Sequence, residues 1–175
     1  MYIVIGLGNP SEEYSHTRHN TGRMAADFLA EKVSGIKVLV PDTFMNHSGS
    51  FVAKAMKDKK LVKKLIIIYD DLDLPLGTIK ISYDRGSGGH NGLESVIKAL
   101  KTREFIRIRV GIAPTMPSGK MKARPHGGKE LENYILTDFK KPEMEKLKKV
   151  FKTITTVVEM IKDEGLTQAM TEFNS

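Results

Sequence analysis

Three polar residues in this sequence stand where general-base chemistry is expected: His19, Asp70 and Asn9. His19 lies just before a predicted helix, so its imidazole should project from a loop end. A histidine base needs an acceptor on its second ring nitrogen to hold it in one tautomer, and Asp70, directly after the apolar run 65–69, can be that acceptor. Because single histidines and asparagines are more often surface or turn residues, the prediction requires these three to converge.

A glycine-rich segment, Gly86-Ser-Gly-Gly-His-Asn-Gly92, precedes a predicted helix over 93–100. Glycines that open a helix leave backbone N–H groups available to an anion or a carbonyl oxygen. A flexible turn would also explain the glycines, but it explains His90 and Asn91 poorly. The segment is therefore a second candidate part of the site.

Other catalytic patterns are incomplete or missing. The sequence has no nucleophile elbow, no phosphate-binding loop of the Walker type and no His-Glu-x-x-His zinc pair. Gly6-Leu-Gly8 lacks the third glycine of a dinucleotide-binding turn, and His16 and His19 have no further metal ligand nearby. The absence of cysteine excludes thiol nucleophiles and disulfides. We therefore predict attack by an activated water molecule, with no metal and no other cofactor.

The composition favours a polyanionic partner. The 175 residues have a formal net charge of +7 and a pI near 9.5. Basic residues are concentrated at 54–64, 98–109 and 120–129, which we interpret as a phosphate-binding track, although each cluster alone would fit a solvated face. The chain shows neither a signal peptide nor an apolar run long enough to cross a bilayer, so we expect a cytoplasmic protein with no membrane contact.

Apolar patterning predicts alternating strands and helices. Buried strands are predicted at 2–5, 37–40 and 65–69, and a helix capped by Asn20 follows the first. Asp71 and Asp73 are read as turn formers before Pro75. The run 106–112 alternates isoleucine or valine with arginine, as a strand with one apolar and one basic face does. The segment 113–129 is predicted to be a lid loop, and an amphipathic helical segment is predicted from 142.

Five motifs in order resemble the bacterial peptidyl-tRNA hydrolase family, from Tyr2 to about Phe139. They are Gly6-Leu-Gly-Asn-Pro10 with Tyr14, Thr17-Arg-His-Asn20, Thr43-Phe-Met-Asn46, Tyr69-Asp-Asp-Leu-Asp73 and the glycine-rich segment. The resemblance implies a single α/β domain over 1–175 with a twisted mixed β-sheet and helices on both faces. It implies cleavage of the ester between a peptide and the 3′ end of tRNA by a monomer that binds the acceptor stem.

The resemblance also implies residue roles. His19 would be the general base, Asp70 would orient it, and Asn9 would hold the peptide. The remaining candidates would contact the substrate or the tRNA: Tyr14, Phe44, Met45, Asn46, His90, Asn91, Lys80 and Arg109. Of these, Lys80, Arg109 and the basic lid loop are the expected phosphate contacts.

The chain departs from the family pattern in three places. The segment 31–41 is short, so a strand and turn present in most members are expected to be missing. Ser82 replaces a second basic residue, for which Arg85 or Arg107 would substitute, and the lid region is longer and more basic than usual. The alternative function is a non-catalytic RNA-binding protein on the same fold.

Overall fold

A five-stranded sheet forms the centre of the protein. The computed structural model describes residues 1–123, 125 and 127–174. The sheet has the order β2-β1-β3-β5-β4, with β4 antiparallel to β5 and the other neighbours parallel. Its strands are β1 (Tyr2–Gly6), β2 (Ile36–Leu39), β3 (Leu65–Pro75), β4 (Ile79–Tyr83) and β5 (Ile106–Ala113). The predicted mixed sheet is confirmed, and the strand predicted at 37–40 forms as β2.

Helices cover both faces of the sheet. On one face lie α1 (Thr21–Ala30), α4 (Lys129–Ile135), α5 (Lys141–Asp163) and α6 (Leu166–Phe173). The other face is covered by α2 (Ser48–Ala55) and α3 (Asn91–Leu100). Each face has its own buried apolar core, because successive side chains of a strand point to opposite faces. Of the helices that the structure describes, none is long and apolar enough to span a bilayer.

The carboxyl ends of β1 and β3 place the first half of the site. Asn9 follows β1, and Asp70 lies within the continuous strand β3. Helix α1 packs closely against the ends of both strands. Its Gly22 has no side chain, so its backbone can approach the carbonyl oxygens of Leu7 and Ile68, which a Cβ would prevent. This close approach holds the short 3-10 helix Arg18–Asn20, and with it the imidazole of His19, over the end of the sheet.

Two local predictions need correction. Asp71 accepts the Asp73 N–H at 2.7 Å, as a turn-forming aspartate does, but the two residues do not end the strand, since β3 continues to Pro75 and pairs with β5 across a register shift after Asp71. Asn20 occupies the N-cap position of α1 but makes no capping hydrogen bond with its side chain. Its amide instead bonds to the main chain of Asn9, which is a tertiary contact that local capping rules do not foresee.

The predicted lid loop contains more regular structure than its composition indicates. Residues 114–122 form a small hairpin, with a bridge between Thr115 and Met121 and a hydrogen bond from the Lys122 amide to the Pro114 carbonyl. Helix α4 begins at Lys129. Two residues of the predicted loop, Arg124 and His126, lie outside the described residues. The helical segment predicted from 142 is α5, and its predicted apolar stripe lies in the core.

Candidate active site

The side chains of His19, Asp70 and His90 meet at the carboxyl edge of the sheet. Nδ1 of His19 lies 3.0 Å from both carboxylate oxygens of Asp70. Nε2 of His90 lies 2.9 Å from one of the same oxygens. All three side chains are less than 10% exposed. One buried carboxylate therefore accepts hydrogen bonds from two imidazoles.

The hydrogen bonds assign a proton to each imidazole. The backbone N–H of Leu93 donates to Nδ1 of His90 at 3.1 Å, so that nitrogen bears no proton and Nε2 donates to Asp70. The carboxylate likewise requires His19 to donate from Nδ1. In the neutral ring, Nε2 of His19 is then left with a free lone pair, which is what a general base needs.

Electrostatics maintain the charge of Asp70. Burial alone would raise the pKa of this carboxyl, but the charges and hydrogen bonds of His19 and His90 outweigh burial and lower the pKa well below its usual range. For His19, burial opposes the imidazolium, whereas the adjacent carboxylate favours it more strongly, and the net effect raises the pKa above 6.5. Asp70 therefore favours the uptake of a proton by His19.

Asn9 is held by a separate set of hydrogen bonds. Its Oδ1 accepts from the backbone N–H of Met45 at 2.8 Å, and its main chain bonds to both ends of the Asn20 amide. The Oδ1 contact orients the Asn9 amide so that its NH₂ group is the end left to donate to a ligand. Met45 is itself buried and packs against Gly92 at the start of α3.

A cavity of about 100 Å³ opens beside the two histidines. His19, Asp70 and His90 line it together with the glycine-rich turn. On the opposite side it is closed by Leu131 and Ile135, which lie one turn apart on α4. The cavity is therefore a cleft between the catalytic edge of the sheet and α4.

The other predicted contacts surround this cleft unevenly. Asn91 lines the cavity and also a shallow depression next to Asn46. Tyr14 and Phe44 form an edge-to-face pair with ring centroids 6.4 Å apart, and Phe44 is 53% exposed. An exposed aromatic ring of this kind is suited to stacking against a ligand base. Neither Tyr14, Phe44 nor Asn46 is among the residues that line the cavity, and none of them belongs to the buried hydrogen-bond cluster.

The predicted phosphate contacts differ in their surroundings. Lys80 is exposed and lies directly opposite Arg109 in the β4–β5 register. Arg109 is only 6% exposed, and its Nε donates to Asp71 at 2.6 Å. Its positive charge is therefore largely neutralised. The interpretation of Asp71 as a turn residue did not foresee this ion pair with Arg109. The two residues are 38 positions apart, and nothing in the sequence indicates that they meet.

Of the two proposed substitutes for the basic residue missing at Ser82, only Arg85 is exposed. Arg107 is completely buried, where it donates to the Gly86 carbonyl at 2.8 Å and stacks over Phe105. Burial also lowers the pKa of its guanidinium. Arg107 thus stabilises the glycine-rich turn through its hydrogen bond to Gly86, and because it is buried it cannot contact a phosphate.

Arg18 is a buried arginine that was not among the predicted site residues, and it fixes the 3-10 helix that carries His19. Arg18 donates two hydrogen bonds to Glu143, at 3.1 and 3.0 Å, and further ones to the carbonyls of Thr137 and Asp138. Its guanidinium lies 4.4 Å from the ring centroid of Tyr134. This contact ties the turn of His19 to α4 and α5. The only sequence signal was its position next to His19.

The three basic clusters do not form one track beside the site. Residues 59–64 precede the first residue of β3, and Lys101 and Arg103 lie between α3 and the start of β5, so both groups are at the amino edge of the sheet, opposite the cleft. Arg109 of the second cluster lines the cleft, and Lys98 lines the shallow depression beside Asn46 and Asn91. The prediction that all three clusters lie beside the site is therefore wrong for residues 59–64, Lys101 and Arg103.

The donor atoms of His19, Asp70 and His90 are close enough together to be tested as a metal site, all lying within 4.8 Å of one another. Metal bound at Nε2 of His90 would require a proton on Nδ1 in the neutral ring. That nitrogen already accepts the Leu93 N–H, so the two donors would face each other. The hydrogen bonding of this cluster fits protons better than it fits a cation.

The fold and the site together define an α/β protein with a buried histidine–carboxylate pair at the carboxyl edge of a mixed sheet. The chain belongs to the peptidyl-tRNA hydrolase family, whose sequence model matches residues 3–175. It is similar to the peptidyl-tRNA hydrolase of Citrifermentans bemidjiense, with 40% identity over 195 residues that cover 99% of this chain and 97% of the relative. The peptidyl-tRNA hydrolase of Pseudothermotoga lettingae is 36% identical over 192 residues, covering 100% and 97%.

A solved structure agrees with this assignment. The crystal structure of peptidyl-tRNA hydrolase from Acinetobacter baumannii has a TM-score of 0.86 and 26% identity to this chain, covering 100% of this chain and 95% of that one. The predicted resemblance and the fold class are thereby confirmed. None of these similarities supports the alternative of a non-catalytic RNA-binding protein.

Proposed function

We propose that this chain hydrolyses the ester bond between a peptide, or an N-blocked aminoacyl group, and the 3′ end of tRNA. Membership of the family supports the reaction. The geometric observation that supports the mechanism is the pairing of His19 Nδ1 with Asp70 at 3.0 Å, which leaves Nε2 as the basic nitrogen in a residue that lines the cleft. The chain would act as a cytoplasmic monomer with one domain.

In this mechanism His19 first accepts a proton and then donates it. Nε2 removes a proton from water as the water oxygen bonds to the ester carbonyl carbon. The resulting imidazolium is stabilised by Asp70, and it then gives the proton to the ribose oxygen as the carbon–ribose bond breaks. The products are a peptide carboxylic acid, which ionises, and a free tRNA 3′ hydroxyl. Asp70 keeps its negative charge throughout.

The asparagines would stabilise the reacting carbonyl. The NH₂ group of Asn9 is left to donate because its oxygen is taken by the Met45 amide. Amide donors suit a developing oxyanion because they need not lose or gain a proton. Asn46 and Asn91 would hydrogen-bond the substrate near the ester, while Tyr14 and Phe44 would contact the tRNA end. Each of these roles stays a prediction.

Phosphate recognition at the cleft would rest on exposed cations. Lys80 and Arg85 are exposed, and Arg85 lines the cavity. Arg109 would contribute only if a phosphate competes with Asp71 for its guanidinium. The structure therefore favours Arg85 as the substitute for the basic residue missing at Ser82.

Ester cleavage tests the proposal directly. Purified protein is incubated with N-acetyl-aminoacyl-tRNA and, separately, with unblocked aminoacyl-tRNA. We expect release from the blocked substrate alone, and a His19→Ala variant should be slower by about 10²–10⁴-fold, the usual contribution of a general base. His16→Ala is the matched control, because His16 is an exposed histidine three residues away whose ring hydrogen-bonds to the neighbouring Ser15.

Two outcomes would contradict the proposal. Binding of the blocked substrate without release by the wild-type protein would exclude the hydrolase function. Equal rates in His19→Ala and wild type would exclude His19 as the base while leaving the reaction intact.

A further inference from the structure

The hydrogen bond to Asp70 does not by itself fix where the imidazole of His19 lies. Nδ1 of His19 is 3.0 Å from each of the two carboxylate oxygens, so the ring contacts both equally. A contact shared in this way orients the ring and leaves its position along the carboxylate to the backbone that carries it. That backbone is the 3-10 helix Arg18–Asn20. The place of Nε2 in the cleft therefore depends on what holds this short helix.

The connection between α4 and α5 holds the start of this helix through its main chain. The Arg18 N–H donates to the Thr137 carbonyl at 3.2 Å, and the Phe139 N–H donates to the His16 carbonyl at 3.0 Å. These two bonds flank an isolated antiparallel bridge. Main-chain hydrogen bonds therefore run in both directions between the segment of the general base and the α4–α5 connection.

The side chain of Arg18 adds a second, more rigid contact. Its guanidinium donates to both carboxylate oxygens of Glu143 and lies 4.4 Å from the ring centroid of Tyr134 and 5.2 Å from that of Phe139. The arginine side chain is 6% exposed, and the glutamate side chain is 23% exposed. A guanidinium that is buried, stacked and paired at both of its ends has one geometry, unlike the guanidinium of an exposed ion pair. Arg18 is thus fixed to the first turn of α5.

Through Tyr134, Arg18 also contacts the helix that forms the opposite wall of the cleft. Tyr134 lies on α4 between Leu131 and Ile135, which line the cleft, and its hydroxyl donates to a main-chain carbonyl of β5 at 2.6 Å. Because Arg18 directly precedes the general base in the chain, the same residue adjoins both walls. The separation of the base from the α4 wall is therefore set at Arg18 and its partners.

We propose that Arg18 and Glu143 are positioning residues for the hydrolysis, and that their ion pair fixes the place of His19 between the reacting ester and the α4 wall. The inference rests on the proposed function for the identity of the reaction. Neither residue touches the reacting atoms, and both act through His19. A displacement of about 1 Å in a reacting group can cost about 10²-fold in rate, so loss of this pair should lower kcat even in a folded protein.

The test compares two variants of α5 that lose the same charge. Glu143→Gln keeps an oxygen for the Lys140 N–H, which the glutamate accepts at 2.7 Å, but removes the charge that pairs with Arg18. Glu145→Gln is the matched control, since it removes a charge two residues further along the helix from an exposed pair with Lys148 at 3.1 Å. Arg18→Lys is a second test variant, because lysine keeps the positive charge but loses the planar fork and the stacking.

Each substitution is made in the wild type and in His19→Ala, and release from N-acetyl-aminoacyl-tRNA is followed under conditions in which denaturant unfolding shows each protein to be folded. In the wild type we expect Glu143→Gln to lower kcat about 10-fold without raising KM, and Arg18→Lys to lower it at least as much. Glu145→Gln should leave kcat unchanged. In His19→Ala, neither test variant should have a further effect, because the base through which it acts is missing. A merely structural role would lower the rate by the same factor in both backgrounds.

Three kinetic results would overturn the inference. They are an unchanged kcat in Glu143→Gln, an equal loss in Glu145→Gln, and a loss in the His19→Ala background as large as in the wild type. NMR of protein labelled with ¹⁵N-histidine measures the same link without cleavage. The ring signals of His19 should shift in Glu143→Gln and stay in place in Glu145→Gln, and unshifted signals in both would also overturn it. If the shift occurs but the wild-type protein releases no peptide, the proposed function is refuted while the link between Glu143 and His19 is supported.

Discussion

The protonation of His19 links its environment to the pH at which the enzyme works. In the proposed mechanism His19 is active only when Nε2 is unprotonated, and Asp70 raises the pKa of this imidazole above 6.5 despite its burial. Activity should therefore rise with pH through a midpoint above 6.5. The same carboxylate fixes the tautomer of His19, so in this mechanism Asp70 would influence both the rate and its pH dependence.

Replacement of Asp70 by asparagine separates these two effects. Loss of the negative charge removes what raises the pKa of His19 while burial remains, so the midpoint of the pH–rate profile should move to lower pH. The asparagine NH₂ can also donate to Nδ1 and favour the wrong tautomer, which should lower kcat by a large factor. The measurement is kcat against pH for both proteins. An unchanged midpoint in Asp70→Asn would show that the carboxylate does not set the pKa of the base.

At the scale of elements, the contact between α1 and the sheet determines where His19 lies. A Cβ at Gly22 would be 2.8 Å from the Leu7 carbonyl oxygen and would also meet the Ile68 carbonyl. Glycine costs about 1 kcal/mol relative to alanine inside a helix. It is retained here because the backbone of α1 must touch the ends of β1 and β3.

Gly22→Ala should therefore destabilise the protein despite better helix propensity. Overpacking against backbone atoms, which cannot move aside, should lower the free energy of unfolding by about 3 kcal/mol. Denaturant unfolding of the variant and wild type measures the difference. Gly86→Ala is the control. A Cβ at this position would have no neighbour within 4 Å, and the backbone of Gly86 does not have a positive φ. A stability equal to or above wild type in Gly22→Ala would disprove the close approach.

For the whole molecule, the conditions for stability and for activity differ. The pKa of Asp70 is lowered from 3.8, so its contribution to stability is present above that value and is lost as the pH falls below it. The pKa of His19 is raised from 6.5, so its contribution is present below 6.5 and is lost as the pH rises through the folded-state value. The pair is most stabilising between these limits, whereas the proposed mechanism needs the neutral imidazole found at higher pH.

This opposition predicts how the free energy of unfolding changes with pH. In the wild type it should decrease as the pH rises from about 6.5, the unperturbed value for histidine, through the pKa of His19. In His19→Gln that decrease should be absent, since glutamine does not titrate. Denaturant unfolding at a series of pH values measures both proteins. The same decrease in both would assign it to other groups.

The sequence by itself determined the alternation of strands and helices, because apolar periodicity reflects burial on each face of an element. It also determined the candidate site, because the motifs lie at the ends of buried strands and their order matches a known family. The residues His19, Asp70 and Asn9 could be selected as candidates in this way, and the structure brings His19 together with Asp70.

Only the tertiary structure decided which polar groups are partners. The Asp70–His90, Arg109–Asp71 and Asn20–Asn9 contacts join residues 11 to 38 positions apart. It also decided that residues 59–64, Lys101 and Arg103 lie at the opposite edge of the sheet from the site, whereas Arg109 lies in it. The physical reason is that charge and hydrogen-bonding capacity are properties of a residue, whereas their use depends on distance and burial, which arise only when the sheet and its helices pack.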